Sequence, residues 1–291
     1  MLKSRLCIAF FAFAVGCAPV QKPLTDYVNP MLGTATLWDS VDLGFKPTKR
    51  TWGAEVFPGS SLPNAMVQVS PVTKFHSGAG YQYEDSVIYG FTHTNKGHWN
   101  LCHIPLLPVT GTPTPGDYCS PFSHERESAA PGYYQVFLDR YGVDAQLSST
   151  LRCAFHKYTY PAGAAPAVLA DLQRSNEHVR AWDIRKEGDN VFAGWQQTGE
   201  KMYFYAVANR PVTGIEPVVE GDREVRIVRF GEGDGALELR IGFSFAFFSL
   251  TNENPIRSST GPSPSPKRTM RISRSPSATG SIPVTGRSAT A

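Results

Sequence analysis

The chain has 291 residues, of which 41% are hydrophobic and 12% aromatic, so it carries enough apolar material for a sizeable core, and disorder along its whole length is excluded. Its formal charge of +3 is unevenly spread: of 28 Lys+Arg, two lie in residues 1–17 and six in 255–291, where there is no acid, so residues 18–254 hold 20 bases against 25 acids. That mildly acidic balance, with no basic stripe, argues against a nucleic-acid partner.

At the N-terminus, Lys3 and Arg5 precede an apolar run from Leu6 to Val15, followed by Gly16-Cys17. A basic start, an apolar stretch of about ten residues and a small residue describe a secretory signal over residues 1–17. The run is too short to span a bilayer as a helix. Ala14-Val15-Gly16-Cys17 resembles a bacterial lipobox, with Ala14 where Leu is usual and Cys17 as the lipidated mature N-terminus. An ordinary signal peptide is the plainer reading, and the lipobox favours the other. The expectation is an exported lipoprotein of the bacterial cell envelope, in the periplasm or outer membrane, that meets the membrane only through its lipid anchor. Cys102, Cys119 and Cys153 remain after the leader. Their odd number and the lack of a Cys-x-x-Cys spacing leave either one disulfide or buried free thiols.

Residues 24–125 are rich in Gly, Pro, His and Trp and weakly periodic, which predicts long structured loops where binding residues sit. From there, period-2 alternation takes over. Tyr134, Val136 and Leu138 share one face. Val143 to Leu147 follows a Gly142 turn, and Leu151, Cys153 and Phe155 take one face of the next segment. Further strands are predicted at 166–172, 180–187, 190–197, 201–209, 223–230 and 236–247, with Glu187-Gly188-Asp189-Asn190 and Gly231-Glu232-Gly233-Asp234-Gly235 as hairpin turns. Many short strands at this spacing, with no long amphipathic helix, predict an all-β fold, an antiparallel β-sandwich with long loops over residues 24–254. The tail is different: of the 37 residues in 255–291, 20 are Ser, Thr or Pro and none is acidic or aromatic. Such a segment stays disordered. Two origins stand for it, a flexible linker and out-of-frame translation of a GC-rich gene. The break directly after a strand favours the second.

The densest polar constellation runs from Gly78-Ala79-Gly80-Tyr81-Gln82-Tyr83-Glu84-Asp85 to Gly90-Phe91-Thr92-His93-Thr94-Asn95-Lys96-Gly97-His98-Trp99-Asn100-Leu101-Cys102-His103. His93, His98 and His103 invite a zinc site. Residues five apart, however, fall on opposite faces of a strand and about 140° apart on a helix, so only His93 and His103 could share a strand face. A second reading has these histidines bonding loop backbone. A third is a sugar platform, in which the ring of Trp99 meets the C–H face of a pyranose while His98 and Asn100 meet its hydroxyls. Trp38 and Trp52 lie in similar loop-like sequence. The acids within reach are Asp39, Asp42, Glu55, Glu84 and Asp85, and nothing in their spacing pairs them for glycoside hydrolysis. There is no Gly-x-Ser-x-Gly elbow and no phosphate-binding glycine loop.

Several ordered segments resemble glycoside hydrolase family 92, the calcium-dependent exo-α-mannosidases. They begin with Asp26-Tyr27-Val28-Asn29-Pro30-Met31-Leu32-Gly33-Thr34, Phe57-Pro58-Gly59 and Met66-Val67-Gln68-Val69-Ser70-Pro71. They continue through Ser77-Gly78-Ala79-Gly80-Tyr81-Gln82-Tyr83, Ile88 to Thr94, Gly132 to Val136, Tyr141 to Val143, Phe155 to Pro161 and Arg240 to Ser244. The resemblance implies an N-terminal β-sandwich packed on an (α/α)6 barrel, calcium contacting mannose hydroxyls, and inverting hydrolysis by a Glu acid and an Asp base. The carboxylates and most calcium ligands belong to the barrel, and the sequence here holds no helical barrel. The expectation is therefore a truncated chain, inactive alone, that binds no calcium tightly and meets a mannose-containing glycan through Gly80, Tyr81, His93, His98 and Trp99. A stand-alone glycan-binding surface lipoprotein is the alternative. Asn95-Lys96-Gly97-His98-Trp99 stands where many members have a second His, and residues 36–52 read as an insertion.

Overall fold

The computed structural model describes residues 22–36, 56–96 and 99–245. These fall within one compact unit, Met1–Phe248; the other unit, Ser249–Ala291, lies outside the described residues, as do the leader with Cys17 and the residues Trp38, Asp39, Asp42, Trp52, Glu55 and His98.

No α-helix occurs among the described residues, only two short 3-10 turns, Leu24–Tyr27 and His124–Arg126. The strands, in chain order, are β1 (Ser60–Ser61), β2 (Gln68–Val72), β3 (Val87–Ile88), β4 (Gly90–Thr92), β5 (Asn95–Lys96), β6 (Trp99–Asn100), β7 (Leu106–Val109), β8 (Ser120–Pro121), β9 (Glu127–Ala130) and β10 (Tyr133–Leu138). There follow β11 (Val143–Ser149), β12 (Cys153–Thr159), β13 (Ala167–Ala170), β14 (Ala181–Gly188), β15 (Val191–Gln197), β16 (Lys201–Ala208), β17 (Val212–Glu220), β18 (Arg223–Phe230) and β19 (Leu237–Ser244). A seven-stranded sheet, β1-β2-β4-β7-β13-β18-β17, faces an eight-stranded sheet, β14-β15-β16-β19-β12-β11-β10-β9, across one apolar core. All pairings within them are antiparallel, as expected for a sandwich.

Alternation explains most of the second sheet. In β10 the buried residues are Tyr134, Val136 and Leu138, and in β11 they are Val143, Ala145 and Leu147. In the next strand Leu151, Cys153 and Phe155 share one face, as expected, and it is the outer one, while Ala154, His156 and Tyr158 point into the core. Register forces this, because His156 stands opposite Leu147 on one side and Leu239 on the other. Directly opposed residues share a face, so two buried leucines carry the histidine inward with them.

Two expectations are corrected. Gly231–Gly235 does not close a hairpin, because β18 belongs to the seven-stranded sheet and β19 to the eight-stranded one. The segment is a crossing between layers. Residues 24–125 are not loops alone, since β1, β2, β4 and β7 all come from this stretch. In β7 and β13 all four residues are buried, giving Leu-Leu-Pro-Val and Ala-Val-Leu-Ala runs with no alternation. The open edges are guarded. Pro217 sits within edge strand β17, and β14 carries Arg185, Lys186 and Glu187 with a register shift between Lys186 and Gly188. Both devices discourage strand addition by another chain.

Candidate loop site at one end of the sandwich

The Gly78–Gly80 turn closes on itself, with the Thr73 and Lys74 amides both donating to the Gly80 carbonyl at 2.9 and 3.2 Å. Gly80 has φ +76°, and a β-carbon there would lie 2.6 Å from Asn100 Nδ2, so this position takes no other residue without strain. Asn100 is buried, donates its amide to the Gly78 carbonyl and accepts from the Cys102 amide through Oδ1. Asn176 ties a third loop to these two. Its Oδ1 accepts from the His76 amide at 2.6 Å, and its Nδ2 donates to the Asn100 carbonyl at 2.6 Å.

His103 lies at the centre of a polar network. Its Nδ1 is 2.9 Å from Thr94 Oγ1, and its Nε2 is 3.2 Å from Glu177 Oε2 and 3.1 Å from Thr198 Oγ1. The Thr198 hydroxyl donates to the same Glu177 oxygen at 2.7 Å. A carboxylate only accepts, so Nε2 carries the proton. Burial lowers the affinity of the ring for a second proton against the pull of Glu177, which leaves Nδ1 to accept from Thr94. Cys102 and Ile104, on either side of His103, both have φ +53°. That conformation is an outlier for a β-branched residue, held here by the Ile104 amide donating to Gln196 Oε1.

The expected site residues are placed as follows. Trp99 is partly exposed on β6, opposite Lys96. Tyr81 is fully buried and donates its hydroxyl to both oxygens of Glu127, at 2.9 and 3.0 Å. Tyr134 donates to Glu127 at 2.6 Å, and His124 Nδ1 lies 2.5 Å from it. Burial and the Glu127 charge push the Tyr81 phenol far above its usual range. His93 is fully buried with Nε2 3.1 Å from His156 Nε2, and His156 Nδ1 is 2.5 Å from the Tyr158 hydroxyl. Desolvation lowers His93 to about 3. Gly80 and Trp99 therefore stand at the loop cluster, whereas Tyr81 and His93 anchor it from within the core. His98 lies outside the described residues.

Glu84 accepts from the Thr36 amide and hydroxyl, and Asp85 from the Thr73 hydroxyl, so both acids are committed to holding loops. His93 and His103 bond to different partners. Among the described residues no three His, Cys, Asp or Glu side chains converge, so the zinc reading finds no donor set there. Nor do those residues offer a carboxylate cluster suited to calcium. Cys102, Cys119 and Cys153 are all free thiols. Sequence reasoning missed Glu127, Asn176, Glu177 and Thr198, which come from strand ends and a loop with no motif of their own.

Among curated protein sequences nothing matches the chain. Among solved structures, the family GH92 α-mannosidase BT3965 from Bacteroides thetaiotaomicron aligns with a TM-score of 0.65 at 24% identity, covering 77% of this chain and 34% of that one. The family GH92 inverting mannosidase BT2199 from Bacteroides thetaiotaomicron VPI-5482 aligns with a TM-score of 0.61 at 23% identity, covering 77% and 32%. At these identities the likeness establishes a shared fold, and the chain spans about a third of the length of the solved relatives it matches. Residues 27–263 match the glycosyl hydrolase family 92 N-terminal domain. With the sandwich and the match extending over most of its length, the chain belongs to glycosyl hydrolase family 92, of which it carries the N-terminal domain.

Proposed function

We propose that the chain is the carbohydrate-binding N-terminal sandwich of an exported α-mannosidase, acting on terminal α-mannosides of glycans with inversion once a C-terminal (α/α)6 barrel completes the site. The observation that carries this reading is the loop cluster, in a family 92 domain, where the partly exposed Trp99 precedes Asn100 on one strand and Asn176 ties Asn100 to the His76–Gly80 turn. An aromatic face beside fixed amides suits a pyranose, with its apolar C–H side and its hydroxyl rim. In this proposal the catalytic acid, the base and the calcium ligands come from the barrel. A half-site gives affinities of about millimolar or weaker, because few contacts offset the lost freedom of the sugar.

The test is a titration of the purified chain with methyl α-mannoside, followed by backbone amide shifts. Saturable shifts around Trp99 and Asn100 are expected, lost in Trp99→Ala, together with no release of nitrophenol from an aryl α-mannoside with or without calcium. Unchanged binding in Trp99→Ala, or hydrolysis by the chain alone, overturns the reading. The envelope location is proposed on the Ala14-Val15-Gly16-Cys17 segment. Labelled palmitate should enter the protein in a bacterial host and be lost in Cys17→Ser; incorporation that survives the substitution refutes the anchor.

A further inference from the structure

We propose that Glu177 is the hydroxyl-accepting group of the loop cluster, taking O–H donors from a vicinal diol of the sugar through its outward Oε1, with His103 and Thr198 as its positioning residues. This rests on the glycan-binding reading above. Glu177 Oε2 already receives two protein donors, His103 Nε2–H and the Thr198 hydroxyl. No donor among the described residues meets Oε1, and the side chain is 45% exposed. A carboxylate tethered through one oxygen cannot swing away, so its second oxygen keeps a fixed direction at the surface. Fixing an acceptor in advance removes most of the ordering cost of a charge-assisted hydrogen bond.

The backbone supports this assignment independently. Cys102 and Ile104 hold left-handed conformations on both sides of His103, and each amide is met by a side chain, Asn100 Oδ1 and Gln196 Oε1. Strained residues of this kind persist where the surrounding structure fixes them and cluster at ligand sites. Here the bend turns His103 toward Glu177. The neighbouring residue, Asn176, bonds the His76 amide and the Asn100 carbonyl, which places Glu177 on the same rim as the Trp99 hairpin. No second or third acidic group joins Glu177 among the described residues, so neutral O–H donors suit it and a divalent cation does not.

The experiment titrates the purified chain with methyl α-mannoside and its singly deoxygenated derivatives, read by amide shifts. Glu177→Gln should weaken methyl α-mannoside by at least about tenfold, the usual worth of a hydrogen bond to a charged group, with thermal unfolding unchanged. Thr198→Val should weaken it in the same direction, and Thr198→Ser should restore it. Each derivative lacking one of the two accepted hydroxyls should bind the native chain more weakly and lose less in Glu177→Gln than methyl α-mannoside does. Equal affinity in Glu177→Gln, or deoxygenation and substitution that simply add, overturns the assignment while leaving the glycan reading intact. A silent titration of the native chain overturns both.

Discussion

Acid should unfold this domain through the two histidines in its core. His93 and His156 are fully buried against Phe91 and Phe243 and share one hydrogen bond, so neither ring has water to stabilise a charge. Folding lowers His93 to about 3, while the same ring in the unfolded chain takes up its proton near about 6.5. Between those values the unfolded state binds more protons than the folded state, so stability rises with pH through the window and falls as the solution is acidified. At pH 5 the unfolded imidazole is charged and the folded one is not. That difference alone removes about 2 kcal/mol relative to pH 8. His156 acts in the same direction, held well below its usual range by burial and then by His93. Urea unfolding at pH 8, 6 and 5 measures the loss directly, with a His93→Phe/His156→Phe double variant as the comparison. The variant leaves the Tyr158 hydroxyl without its His156 partner, so its absolute stability shifts, and the informative quantity is the slope with pH. Equal slopes for the variant and the native chain would refute the argument and move acid sensitivity to the carboxylates.

Other outcomes follow from single contacts. Gly80→Ala should lower stability by about 1–3 kcal/mol, from a left-handed φ and a β-carbon driven against Asn100, and thermal unfolding measures it. Glu127→Gln puts an amide among three donors, Tyr81, Tyr134 and His124, and should cost about 2–4 kcal/mol in urea unfolding, whereas Tyr81→Phe removes one donor and should cost about 1 kcal/mol. Equal losses in those two variants would mean that the carboxylate does not organise the cluster. Pro217→Thr should leave the melting temperature nearly unchanged but raise self-association on light scattering, because it frees an amide on an open sheet edge.

Most strands legible in the sequence have one wet face. From β14 to β16, and in β18 and β19, the predicted spans agree with the observed ones to within a few residues, and burial alternates along β15, β16 and most of β19. β13, buried throughout, still falls within the predicted span 166–172, whereas β7, equally buried, and β17, interrupted by Gly214 and Pro217, have no predicted counterpart. In β12 the alternation marks a shared face for Cys153 and Phe155 without saying which side is the core. Its core positions hold His156 and Tyr158, polar by type and apolar in effect once they bond each other, and only the cross-strand register with Leu147 and Leu239 assigns them. The candidate site was legible as a region and not as a set of contacts. Gly80 and Trp99 came from local composition. Glu177 reaches His103 across 74 positions of chain and Thr198 across 21, a juxtaposition that no local pattern encodes.

The position of β19 bears on how the molecule is made. It lies between β16 and β12, and without it the larger sheet is two separate ribbons, β9 to β12 and β14 to β16. During vectorial synthesis both ribbons emerge first, each with an unpaired inner edge, and they wait for β19, the last strand among the described residues, to leave the ribosome. Residues 237–244 therefore act as a keystone, and assembly of this layer is governed by long-range closure more than by local hairpin formation. A nascent chain stalled before Leu237 would expose two adhesive borders at once, the species most in need of a chaperone along its route to the folded state.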